Sequence, residues 1–582
     1  MSRRFLSLAP ALLLAACSFT PRPAPIAPVP DVATREIQIL ALNDFHGNLE
    51  PPGQSLDSDK GKIPVGGAAY LATAIKQLRT KDSITVAAGD LISASPLTSS
   101  LFYDEPTIQA MSDMGLSLAA VGNHEFDRGW QELQRLQNGG CRLHVEGEPR
   151  VSCKVQSFQG AGFQYMAANV IKPDGQALFP GTAVREIGGV KVGFIGMTLK
   201  ETGTLVSPAG VDGLSFRDEA ETANAAVPAL KAAGARAIVM LIHQGGASTG
   251  RWDDPACPGF SGDILPILAR LDQSIGLVVS GHTHNAYICR MPMANGNTRL
   301  VTSAGRYGAL VTDIRLTFGP DGSYRGERAT QVPVQGEAIA NGRQNVPLNT
   351  AFKIFAADPG VGGLVARYKQ AASIVADRPV GKLSASLLKS AGPAQSQAAE
   401  FIADGQLFVA RDPKRGNADF ALMNTGGART DLIPGPGGIV TYGQIFAMQP
   451  FANNLVTLTL SGAEVKALLE QQFDSGLNTA ARPNLLMPSA NFRFSFDRSR
   501  PAGQRILSMG LNGRPIVPTR NYRVTVNNFM ASGGDNFTVL TKGRDAVDGG
   551  LDLDATEAYL RTNPKVPTPG RITDRTPASW KP

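Results

Sequence analysis

The chain has 582 residues, 43% hydrophobic and 18% charged, which excludes a disordered polymer and exceeds what one ordinary core organises. Its 56 Lys and Arg against 49 Asp and Glu leave a net charge of +7 without a dense basic block, so nucleic acid is not an expected partner. With 63 Gly and 40 Pro, short elements joined by many loops are expected.

Residues 1–17 read as an export signal: a basic MSRR followed by the apolar FLSLAPALLLAAC, too short to span a membrane. Leu14-Ala15-Ala16-Cys17 resembles the bacterial lipobox, which implies cleavage before Cys17 and its acylation. The expected location is the cell envelope, lipid-anchored and facing the periplasm, and Ser18 points to the outer membrane. Residues 18–34 are Pro-rich and suit an extended tether. Export leaves Cys141, Cys153, Cys257 and Cys289 in an oxidising compartment. Three pairings are possible, and sequence proximity favours Cys141–Cys153 and Cys257–Cys289. No C-x-x-C pair supports a Cys-ligated zinc.

Five strand-like runs then share one design, each ending in a glycine turn with polar residues. EIQILAL leads to Asp44-Phe45-His46-Gly47, SITVAA to Gly89-Asp90, and SLAAV to Gly122-Asn123-His124. ARAIVMLI leads to His243-Gln244-Gly245, and IGLVVS to Gly281-His282-Thr283-His284. Five of the 6 His stand at these turns. Helix-like stretches at Gly67 to Leu78 and Glu219 to Ala233 intervene, which predicts a layered α/β domain. Open α/β sheets bind ligands beyond their strands' carboxyl ends, so these turns are expected to converge. Asp44 and His46 share a side if their strand continues that far. Such carboxylate, imidazole and amide groups suit a borderline divalent ion. Asp127 either orients His124 or caps the helix predicted in DRGWQELQRLQ.

The order Asp-x-His, Gly-Asp, Gly-Asn-His-Glu, His and Gly-His-x-His resembles the calcineurin-like metallophosphoesterases. Over roughly residues 35 to 560 the chain resembles the exported 5′-nucleotidase and UDP-sugar hydrolase family. The resemblance implies a four-layer sandwich at 35–335, with helices on two packed mixed β-sheets. A helical linker at 336–375, broken by Pro359 and its glycines, would join it to a smaller α+β domain at 376–565. Residues 566–582 read as surface tail. By the same resemblance, two divalent ions of Mn, Zn or Fe type are expected. Asp44, His46 and His284 would hold one, and Asn123, His243 and His282 the other, with Asp90 bridging. His124 would stabilise the transition state or protonate the leaving oxygen, with Asp127 orienting it.

In the second half, NTGGART offers Asn424 and Arg429, QPFANNL offers Phe451, and NNFMASGGDNF offers Phe529 and Asp535. The resemblance implies a base sandwiched by the two phenyl rings and a ribose on Asp535. One departure stands out: KSAGPAQSQAAEFIADGQ has no Arg where the family often carries one, and Ala399 where Gly is common. The implied activity is hydrolysis of nucleoside 5′-monophosphates for nucleotide or phosphate salvage, by a chain expected to be monomeric. UDP-sugars, 2′,3′-cyclic phosphodiesters and sulfur compounds are the alternative substrates.

Overall fold

Apolar residues occupy both faces of the Arg35–Leu42 strand, and this sets the layering of the first half. The computed structural model describes residues 34–144, 150–340, 345–390, 395–451 and 453–581. The export signal, Cys17 and residues 18–33 of the expected tether lie outside them. Ile37, Ile39 and Ala41 join a core with Phe194, Val239, Leu241 and Leu277. Leu40 and Leu42, of opposite parity, join Leu71 and Ile75 of the Ala68–Leu78 helix instead.

Arg35–Leu42 lies within a six-stranded sheet, parallel to Ser83–Ala88 and antiparallel to Leu310–Phe318. A second six-stranded sheet carries Ala237–His243 between the parallel strands Val190–Thr198 and Ile275–Ser280. Its outer face, with Ile238, Met240 and Ile242, packs on the Glu219–Ala232 and Ile264–Arg270 helices. Helix, sheet, sheet and helix stack in the expected four layers. The cysteines pair as sequence proximity favoured, Cys141 with Cys153 and Cys257 with Cys289. Among the described residues no helix is long and apolar enough to cross a membrane.

Pro359 does not break the linker helix, as the sequence suggested; it begins it. The helix runs unbroken over Pro359–Ala376, and the Asp358 carboxylate accepts from the Gly360 and Val361 amides. At the first helical position the missing proline N–H has no intrahelical partner to lose. Phe102 meets Tyr368 of this helix edge to face at 4.9 Å, within a cluster that continues to Ile445 and Phe420. The second half holds a five-stranded sheet with Phe420–Asn424 and Asn521–Asn527 paired near its centre.

The expected surface tail also takes part in the core. Ile572–Asp574 adds a parallel strand to Phe492–Phe496. Beside it, buried Arg571 donates to both oxygens of Asp404, at 2.9 and 2.7 Å. Burial still pushes the Asp404 carboxyl up despite this guanidinium, so desolvation outweighs the pair's attraction. Removing one partner leaves the other charge buried alone. Arg571→Ala is expected to lower unfolding stability by about 3–5 kcal/mol in a chemical denaturation series. A loss within about 0.5 kcal/mol, as at an ordinary surface site, would contradict this account.

Candidate metal centre and adjoining cavity

The polar turns converge because the strands before them are parallel and end at one edge. The shared aim of Asp44 and His46 does not come from strand periodicity, because the strand stops at Leu42. Both residues are left-handed, at φ 49° and 48°, as are Asp90 at 51°, His282 at 69° and His284 at 59°. Non-glycine residues in this region cost about 1 kcal/mol or more each, and such strain gathers at functional sites. Glycine is required next to them: at Gly122 a Cβ would stand 2.2 Å from Asp90 Oδ1.

The turns present hydrogen-bond acceptors to one another. His243 Nδ1 lies 2.7 Å from the Ala88 carbonyl, so Nδ1 carries the hydrogen. The lone pair of Nε2 then faces Asp90 Oδ2 at 3.0 Å, buried and without a donor. His46 repeats this, with Nδ1 on the Ser93 carbonyl at 3.0 Å. Its Nε2 stands 3.2 Å from His284 Nε2 and 3.5 Å from Asp90 Oδ2. A cation between these atoms relieves the repulsion. Without one, a proton is drawn in: burial opposes a charged His243, yet Asp90 outweighs it and raises the ring to about 10.

Two ligand-type groups result, Asp44–His46–His284 and Asp90–His243–His282. Asn123 joins the second group, its Oδ1 3.1 Å from His282 Nδ1. Asp90 Oδ2 faces both groups through His46 and His243. This buried set of carboxylate, imidazole and amide groups, with His243 Nε2 left without a hydrogen-bond partner, fits two borderline divalent ions.

His124 stands beside the groups rather than in them. Its Nδ1 lies 2.8 Å from Asp127 Oδ2, so Nδ1 donates and Nε2 is free. Burial opposes the charged ring, but Asp127 and Asp90 outweigh it and raise the His124 pKa. Asp127 does not cap the following helix: Trp130–Asn138 starts at Gly129 with no side-chain cap. Two structural residues escaped the sequence reading. Glu125, inside the motif GNHEFD, accepts from the amides of Asp90, Leu91 and Gly122 at 2.9, 2.8 and 2.6 Å. Asn43 bridges the Asp44 carboxylate, at 2.6 Å, to the Gly305 carbonyl, at 2.7 Å. Adjacency to the motifs was the available signal in both cases.

The second half closes over this edge. A cavity of about 220 Å³ has Asn123, His124, Asp127 and His282 on one wall. Asn424, Arg429, Phe451, Phe529 and Asp535 form the other. Phe451 stacks on His124 with ring centres 5.8 Å apart and planes 20° apart. Asn424 Nδ2 donates to Asp535 Oδ2 at 2.7 Å, and burial pushes the Asp535 carboxyl up. Arg429 Nη2 donates to His46 Nε2 at 3.0 Å, a cation set where acceptors converge. A larger groove, about 660 Å³, lies at the opposite ends of the second sheet's strands and contains none of these residues.

Comparison with known proteins agrees with this division. The model of calcineurin-like phosphoesterases matches residues 37–286, and that of the 5′-nucleotidase C-terminal domain matches residues 379–542. The chain is 28% identical over 539 residues to Endonuclease YhcR of Bacillus subtilis, covering 90% of this chain but only 40% of that protein. It is 25% identical over 567 residues to a probable 5′-nucleotidase of Treponema pallidum, covering 87% of each. The crystal structure of a 5′-nucleotidase precursor from Thermus thermophilus matches with TM-score 0.74 and 27% identity, over 93% of this chain and 99% of that one.

Proposed function

Because the chain belongs to the 5′-nucleotidase family, a calcineurin-like phosphoesterase domain followed by a 5′-nucleotidase C-terminal domain, we propose that it hydrolyses nucleoside 5′-monophosphates to nucleoside and phosphate. The observation that carries this reading is the cavity shared by His124, Asn123 and His282 with Arg429, Phe451, Phe529 and Asp535. Asp44, His46 and His284 would hold one divalent ion and Asn123, His243 and His282 the other, with Asp90 reaching both. When bound, the ions supply an activated water and neutralise charge on the phosphoryl group.

The chain's own residues orient the rest. Asp127 holds the Nδ1–H of His124, which leaves Nε2 to protonate the leaving oxygen or to hydrogen-bond the phosphoryl oxygens. Arg429 offers a fork to the same oxygens. Phe451 and Phe529 take the base between them, and Asp535 takes a ribose hydroxyl, its orientation kept by Asn424. The domain limits proposed are 35–335 and 376–565, joined by 336–375. Work in the cell envelope, anchored through Cys17, completes the reading, and two disulfides support an exported chain.

A phosphodiesterase reading is favoured by the relative named an endonuclease. Phosphate release from 5′-AMP by the chain from residue 18 onward, with Mn²⁺ added and then chelated, separates the two. Release that chelator abolishes is expected. Cleavage of diesters with no phosphate from 5′-AMP would overturn the nucleotidase reading.

A further inference from the structure

The groove of about 660 Å³ lies where the parallel strands begin, a full strand length from the metal-ligand turns. A second groove, about 480 Å³, adjoins it, and Arg236 lines both. Tight turns let long side chains gather at this end of both sheets. A Cβ on Gly189 would stand 2.8 Å from Arg35 Nη1, and one on Gly322 would stand 3.8 Å from Arg236 Nε. Lys191 Nζ donates to the Ala233 carbonyl at 3.5 Å, and the Arg236 amide donates to the Lys191 carbonyl at 2.8 Å.

Two further cations of the lining have carboxylates: Arg290 pairs with Glu327, and Arg325 lies 3.6 Å from Asp321. Among the described residues Arg35, Lys191 and Arg236 have none within ion-pairing distance, and all three are exposed. Glu186 is the remaining carboxylate of the lining, so the surface keeps an excess of positive charge. Arg35 also opens its strand, so the chain between Cys17 and the fold joins it at this surface. Fully extended, residues 18–33 reach at most about 55 Å.

We infer that this end of the catalytic domain docks on the bilayer that holds Cys17, its grooves taking the phosphate headgroups of anionic phospholipids; the inference rests on the anchoring reading above. The attachment keeps headgroups within reach of the grooves at high effective concentration, so individually weak contacts suffice. Arginine forks suit pairs of phosphate oxygens, and Lys191 adds a point charge. Tyr324, 38% exposed in the lining, offers the amphipathic ring that suits headgroup depth. His243 and His282 follow the opposite ends of the same strands. Docking therefore turns the metal centre and its cavity away from the bilayer, toward soluble substrate.

The test uses the full acylated chain carrying Ala294→Cys, an exposed position in the turn beside the groove, labelled with a fluorophore. Vesicles of phosphatidylcholine, alone or with about 30% phosphatidylglycerol, carry a nitroxide quencher at the headgroup. Quenching is expected to be about threefold or more stronger on the phosphatidylglycerol vesicles. It is expected to fall to the phosphatidylcholine level in Lys191→Glu with Arg236→Glu, and in about 0.5 M salt, at an unchanged unfolding midpoint. Equal quenching on both vesicles, or none lost on charge reversal, overturns the docking. Calorimetric binding of glycerol 3-phosphate without any dependence on vesicle charge would overturn it too, in favour of a site for a soluble anion. If mass spectrometry finds Cys17 unacylated, the anchoring reading fails instead, and flotation of the labelled chain with the two vesicles still decides the docking.

Discussion

His124→Ala is expected to lower kcat by about a hundredfold to ten-thousandfold, the range of a positioned general acid, while bound metal stays at its unmutated level. The reason is geometric. His124 reaches the Asp90 carboxylate through its backbone amide, at 2.9 Å, so the variant keeps that bond and the ligand turn's shape. Its imidazole is committed to Asp127 on one side and faces the cavity on the other. Asp127→Asn can present an N–H instead of an acceptor and favour the wrong tautomer, so a smaller loss in the same direction is expected. Stopped assays for turnover and elemental analysis for metal check both. Parallel loss of metal and turnover in His124→Ala would make the ring a ligand.

The second large effect is expected at Asp90. Its Oδ2 lies 3.0 Å from His243 Nε2 and 3.5 Å from His46 Nε2, so one oxygen serves both candidate ion positions. Asp90→Asn keeps a side-chain carbonyl for the His124 amide but removes the charge that two ions would share. The turn itself should persist, because Glu125 holds the Asp90 and Leu91 amides from outside. Burial, then Asp90, raises that Glu125 carboxyl to about 8, so the substitution also eases its ionisation. Metal content is expected to fall below one ion per chain, with activity at background and the unfolding midpoint of the metal-free protein little changed. Two ions retained at full occupancy in Asp90→Asn would remove Asp90 from the shared position.

Much of this site was legible because its signals are local. A buried strand reads as an apolar run, a glycine marks its end, and a ligand-type residue follows within three positions, as at Gly89-Asp90 and Gly281-His282. The order of five such turns led to the family, and the family to the second domain. The helices at 68–78 and 219–232 were visible for the same reason, an apolar period read within one turn or two. Pro359 was misread because proline breaks a helix interior yet opens a helix well, and only the cap at Asp358 distinguishes the cases.

What the amino-acid order determined alone was therefore the kind of residue at each turn, the layered fold class and the family. Tertiary structure decided which atoms meet. The contact of Arg429 with His46 spans 383 positions, and that of Arg571 with Asp404 spans 167. Neither leaves a local pattern, since a lone arginine reads alike on a surface or in a core. The left-handed turns at Asp44, His46 and His284, and the stacking of Phe451 on His124, are set where two sheets and two domains close on one edge. Packing over long chain separations sets those distances, and at this site distance determines which charges are shared and which remain for a substrate.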